Sequence, residues 1–368
     1  MYKSILAILL ISSSAIAQVP PITIEPDGGN KKASVSEQIG IIKIEITYNR
    51  PSVKGREGKI WNTSVAHYGF IDQGHGTSYA APWRAGANEN TTISFSHPVK
   101  VEGHDLPSGK YGFFIALGEI ESTLIFSKVN NSWGSFYYDE TQDALRVTVK
   151  NQTLDKSVER LKYEFTDQTD STVAIGMSWE KRKIPFTVWA DHKKLQIEAF
   201  KSDFRITRPY YDFISAAYWC VNNSYDLDQA LAWMDRAIYF RVMGEKNFRS
   251  LTAKAAVLTK MNRLDEAKKV MDEAVPLGTM LDVHYYARTL LNQNQPKEAF
   301  SVFKTNYDKH PDEFTTNVGM ARAYSSLAEY KKALPYLKKA LPKAPDEMNK
   351  TRVQEMVVKL EKGEDINK

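Results

Sequence analysis

One cysteine in 368 residues rules out an intramolecular disulfide and every paired-cysteine metal motif. Cys220 stands in the apolar run AAYWCV, which reads as a helical, buried and inert thiol. The excess of basic over acidic residues is only +5, too small to call for a nucleic-acid partner. No apolar run after the N-terminus reaches the roughly 18 residues a spanning helix needs, so no membrane span is expected. A nucleophile elbow, a phosphate loop, a dinucleotide fingerprint and an HExxH pair are all missing. No cofactor is therefore expected. Paired carboxylates for glycoside hydrolysis stay open, because their partnership is spatial and leaves no spacing to read.

The chain does carry an address. It opens MYKSILAILLISSSAIAQ, with Lys3 as a positive start, an apolar run Ile5–Ile11, and small residues Ala15 and Ala17 before Gln18. That reads as a secretory signal over residues 1–17. No cysteine follows the cleavage point, so no lipid anchor is expected. The mature chain is expected in the periplasm or outside the cell, soluble, with a Pro/Gly-rich flexible lead-in over 18–32.

From 33 to 190 side chains alternate with a period of two. IIKIEITY (41–48), LRVTVK (145–150), LKYEF (161–165), VAIGMSW (173–179) and IPFTVW (184–189) read as separate strands. YGFFIAL and TLIFSK are nearly continuous apolar runs. The pattern predicts an antiparallel β-sandwich or jelly-roll-like domain. Pro185 is expected at a sheet edge or strand end. His97 and His104 flank an expected hairpin and read as exposed.

Residues 191–208 read as a connector. From 209 to 362 the period becomes helical and a repeat appears. Ala255, Ala287 and Ala321 are each followed twelve residues later by Ala267, Ala299 and Ala333. Small residues there let paired helices approach closely, and Pro311 and Pro345 close the last two units. About four units and a capping helix over 348–360 are expected. The spacing resembles the tetratricopeptide repeat, an α-helical solenoid, and Asn306 and Pro296 depart from it.

Several stretches of the first half, ASVSEQIG, ITYNRPSVKGR, PWRAGANENTTISF, LPSGKYGFFIAL, WGSFYYDETQDALRVTV and IPFTV, resemble the exported bacterial domain of unknown function family 2911. The resemblance runs from about Ala33 to Val188. It implies a compact β domain and export, and some members of that family carry a repeat tail. It brings no established reaction and no catalytic residues.

One place invites chemistry. Residues 50–90 show no clear period over roughly forty positions, and loops beyond about 15 residues are often functional. In AAPWRAGANENTTISF, Trp83 offers a flat face, Arg84 a planar fork, and Asn88 and Glu89 further polar groups; with Arg50 they form a candidate ligand-binding lip. The alternative is a loop pinned to the sandwich, with Arg84 paired to Glu89 or another carboxylate, Asn88 on the backbone and Gly86 at positive φ. His67 and His75, with Asp72 and Glu89, are the nearest thing to metal ligands, and no metal is expected from them. Trp133, Tyr137, Tyr138, Asp139, Asp143 and Arg146 gather in a second stretch, read as a turn or a calcium or sugar contact.

These readings combine into an expectation. The protein is an exported, non-enzymatic interaction protein. Its helical repeats would hold a protein or peptide, and its β domain a glycan, small ligand or envelope component. The rival is a hydrolase of an envelope glycan or polymer, with Glu89 or an acidic residue near Asp139 as candidate acid/base.

Overall fold

The structure is a computed structural model that describes residues 29–368. The expected signal segment and most of the lead-in lie outside the described residues. The chain divides into two units, the first ending at Gln196 and the second running from Ile197 to Lys368.

The first unit is a two-sheet sandwich. One sheet is built from β1 (Lys31–Ile39), β2 (Ile42–Arg50), β3 (Thr91–Phe95), β6 (Gly109–Ala116), β7 (Glu121–Ser127) and β8 (Asp143–Lys150), paired in that order. The other holds β4 (Val99–Val101), β5 (His104–Leu106), β9 (Gln152–Thr166) and β10 (Thr172–Trp189), in the order β5-β4-β10-β9. Every strand pair is antiparallel. β2 alternates as its sequence does, with Ile42, Ile44, Ile46 and Tyr48 buried. The sheets meet face to face: Phe113 on β6 lies 5.7 Å from Phe186 on β10 and 6.2 Å from Tyr163 on β9.

Three expectations need correction. β1 begins at Lys31, so the last two positions of the expected lead-in are strand. VAIGMSW and IPFTVW are one strand, β10, whose register against β9 shifts on either side of Glu180. Pro185 is not at an edge, since β10 lies between β4 and β9. It falls where pairing passes from β9, last matched at Lys183, to β4, first matched at Val188. A residue without an N–H is tolerated in that gap.

The continuous apolar runs are explained by a covering loop. β6 and β7 send Phe113, Leu124 and Phe126 inward, while Phe114, Ala116 and Ile125 are buried outward with Tyr138. The stretch before β8 therefore roofs the outer face.

The connector region contains α1 (His192–Asp203). Helix pairs follow: α2 (Tyr210–Asn223) with α3 (Leu227–Tyr239), α4 (Phe248–Lys260) with α5 (Leu264–Ala274), α6 (Met280–Asn292) with α7 (Pro296–Lys309), and α8 (Phe314–Ser326) with α9 (Tyr330–Ala340). α10 (Glu347–Glu361) caps the array. Ala255, Ala267, Ala287, Ala299, Ala321 and Ala333 are all buried. Asn306, the departure from a small residue, is buried too and donates Nδ2 to the Met280 carbonyl at 2.8 Å. Capping boxes start α4 (Asn247 with Ser250) and α6 (Thr279 with Asp282).

After α10 the chain turns at Gly363 (φ 74°) and lays residues 364–367 along α8. Ile366 is 5% exposed and packs with Ala321, Val353 and Leu360. Ser325 Oγ accepts from the Ile366 N–H at 3.1 Å and donates to Asp365 Oδ1 at 2.8 Å. Asn367 Nδ2 donates to the Arg322 carbonyl at 3.0 Å. The end of the array is thus sealed by its own following segment.

Candidate functional site

The two stretches that the sequence singles out, 50–90 and 133–146, meet on the first unit. The N–H groups of Thr77 and Ser78 both reach the Phe136 carbonyl at 3.0 Å, and Asn90 N–H reaches the Ser132 carbonyl at 3.0 Å. Gln73 Nε2 spans the junction, 3.2 Å from Ser135 Oγ and 3.3 Å from His67 Nε2. The long loop is fixed to the sandwich as well, through backbone exchange between Trp83 and Ile115.

Trp83 does not form a lip. It is 3% exposed and stacks on Trp179 at 6.2 Å, with Trp61 edge-on to both. Its face belongs to the core, and that corrects the sequence reading. Arg50 spends its Nε on the Leu161 carbonyl at 2.9 Å, tying β2 to the opposite sheet.

Arg84 lies half-buried at the junction. Its NH1 donates to the Asn88 carbonyl at 2.8 Å, and its guanidinium lies 5.1 Å from the Phe136 ring centroid. The expected pairing with Glu89 is absent: Glu89 accepts from Asn49 Nδ2 at 2.7 Å and lies 3.7 Å from Lys32 Nζ. No carboxylate lies within 4.0 Å of Arg84 among the described residues. Burial pulls its guanidinium below the ordinary arginine value. A Cβ on Gly134 would come within 2.5 Å of Arg84 Cζ, so that glycine makes room for the cation.

Asn88 is at φ 58° and joins Asn30 and Asn49. The positive φ expected at Gly86 is found at Ala85 and Asn88 instead. Gly86 is needed for space, because a Cβ there would meet Thr91 Oγ1 at 2.8 Å. For Glu89, burial pushes the carboxyl up, but its own N–H, Asn49 and Lys32 outweigh that and hold it below the ordinary value.

His67 is buried, and its pKa falls, first through desolvation and then through Arg84. His75 stands edge-on to Phe136 at 6.0 Å. Among the described residues no three His, Cys, Asp or Glu side chains gather as a metal site requires. Cys220 is fully buried, and burial pushes its thiol up to about 11.

The second stretch has its own network. Tyr138 OH donates to Asp143 Oδ2 at 2.6 Å, and Arg146 donates to that same oxygen at 2.6 Å and to Tyr138 OH at 2.7 Å. Burial raises the Asp143 carboxyl despite both partners. Asp139 caps the short 3₁₀ turn Glu140–Gln142. Around this junction Phe70, Tyr79, Trp133 and Tyr137 stay exposed.

Sequence reasoning passed over a further feature: Glu180, 6% exposed at φ 49°, beside Trp61 and Arg182. The run EKRK reads as a solvated turn between two strands, so nothing in the pattern signals a buried acid there.

Together these observations define the class: a β-sandwich domain with two interlocked surface loops, followed by helix pairs of the tetratricopeptide kind. Residues 30–188 match the family described as "Protein of unknown function (DUF2911)". Residues 315–341, covering α8, α9 and the turn between them, match a tetratricopeptide repeat. Comparison with curated proteins finds no match. Among solved structures the chain is similar to YrrB, a tetratricopeptide protein with an unusual peptide-binding site, at 13% identity over 46% of this chain and 86% of that one, TM-score 0.29. It is similar to PilW, a type IV pilus biogenesis factor, at 17% identity over 43% and 74%, TM-score 0.29. A third is MamA from Desulfovibrio magneticus, at 17% identity over 42% and 97%, TM-score 0.27.

Proposed function

We propose that this is an exported interaction protein whose helical repeats hold a protein or peptide partner while its β domain contacts a second, smaller ligand. One observation carries the repeat half. Tyr211 and Tyr218 on α2 and Leu281 and Tyr285 on α6 stay exposed, although the helix pairs behind them are closed by buried alanines. Tyrosine on a rigid helix surface is the typical anchor of a protein interface, and stacked helix pairs present such anchors in register. Export rests on the leader of residues 1–17.

The test uses the full chain. Tyr211→Ala with Tyr285→Ala should reduce recovery of a partner captured from envelope extract by tenfold or more, a loss that a single hot spot already suffices to give, with the melting temperature unchanged. Undiminished recovery of every captured protein would remove the support for this reading.

A further inference from the structure

β10 is irregular in one place, and a cavity lies beside it. The register shifts between Ser178 and Glu180 and again between Glu180 and Arg182. Glu180 itself occupies the left-handed region, which a long side chain enters only where its surroundings force it. Bulges of this kind re-aim a side chain. Here the result is a carboxylate in the interior. Glu180 Oε2 accepts from Trp61 Nε1 at 3.1 Å and from the Lys181 N–H at 2.7 Å.

The cavity holds about 330 Å³, and its walls include Trp61, Glu119, Asn151, Glu180, Lys181 and Arg182. Two carboxylates and two cations thus line one small space. None of the four forms an ion pair within 4.0 Å with any charged side chain among the described residues. Arg182 is held away by other bonds: it lies 4.5 Å over Trp61 and donates to the Gly118 carbonyl at 3.0 Å and the Tyr68 hydroxyl at 2.7 Å. Opposite charges kept apart around a cleft are stabilised by a ligand that carries both. The volume is at the small end of ligand pockets, which start at about 300 Å³. A larger cavity of about 550 Å³, near Lys150 and Lys183, has no buried charged side chain in its wall.

We infer that the β10 cavity binds a small zwitterion of α-amino-acid or dipeptide size. Its ammonium is received by Glu180 and Glu119, and its carboxylate by Lys181 and Arg182. This names the ligand class for the β half of the reading above and is independent of the repeat half.

Calorimetric titration of the full chain with the α-amino acids and glycylglycine tests it, with propionate and ethylamine as single-charge comparators. At least one zwitterion should bind saturably, and both comparators about tenfold more weakly or worse. Glu180→Gln keeps an acceptor for Trp61 and should weaken binding about tenfold. Lys181→Ala, at an exposed position, should weaken it several-fold with an unchanged melting temperature, and it decides the matter if Glu180→Gln fails to fold. No saturable binding across the panel, equal binding of a single-charge comparator, or wild-type affinity in both variants overturns the inference. Partner capture measured on the same preparations separates the two readings, since intact capture without zwitterion binding sinks only this one.

Discussion

Trp83 is one ring of a three-tryptophan cluster in which every pair touches, so truncating it leaves a hole that two rigid neighbours cannot fill. Trp83→Ala is expected to cost about 3–5 kcal/mol in a denaturant melt. A loss below about 1 kcal/mol would mean that the ring is not packed as described. His284 makes a second prediction at this scale. It is 7% exposed, Nδ1 has no hydrogen-bond partner among the described residues, and burial, with Arg322 and Arg288 beside it, lowers its pKa to about 4. The unfolded chain holds the ordinary value near 6.5 and so binds more protons between those limits. Stability is full above pH 6.5 and falls as the pH drops toward 4, by up to about 3 kcal/mol. His284→Gln should flatten that slope. The sequence could not foretell either environment: a tryptophan beside an arginine in a loop carries no mark of burial, since burial is decided by distant residues such as Trp179.

At the scale of elements the repeats correct each other. The turn inside each of the last three helix pairs needs one left-handed residue, at Asn262, Asn294 and Ala328. Asparagine enters that region at little cost, while alanine is strained there. Ala328→Asn should therefore raise stability by about 0.5–1 kcal/mol, read as a higher denaturation midpoint. Helix pairs and their alanine spacing were legible because a period of about three to four residues, repeated several times, has few other solutions. β10 was not. Its charged run Glu180–Lys183 interrupts the apolar alternation, and only the facing strand shows that the ladder continues through it. The roof over β6 and β7 was hinted at by their unbroken apolar runs, but the stretch that supplies it could not be named.

At the scale of the molecule each unit has buried clusters of its own. The main cluster of the first unit includes no residue past Leu195, and those of the second unit none before Ile197. Trp83→Ala should therefore accelerate amide exchange in β2, β6 and β10 and leave α4 to α9 at wild-type rates. Faster exchange throughout would show that the two cores share their stability. The switch from a two-residue to a helical period near residue 190 carried this division into the sequence. Loop 50–90 was also visible as an anomaly and 133–146 as a second stretch, yet their contact was not, because nothing in Arg84 points to Gly134.

The segment that follows α10 has a practical consequence for anyone lengthening the array. α8, α10 and residues 364–367 make a single latch around Ile366, so a new helix pair cannot be spliced between α8 and the cap without springing it. Insertions upstream of α8 leave the latch shut, and that is where an extra repeat would be accepted.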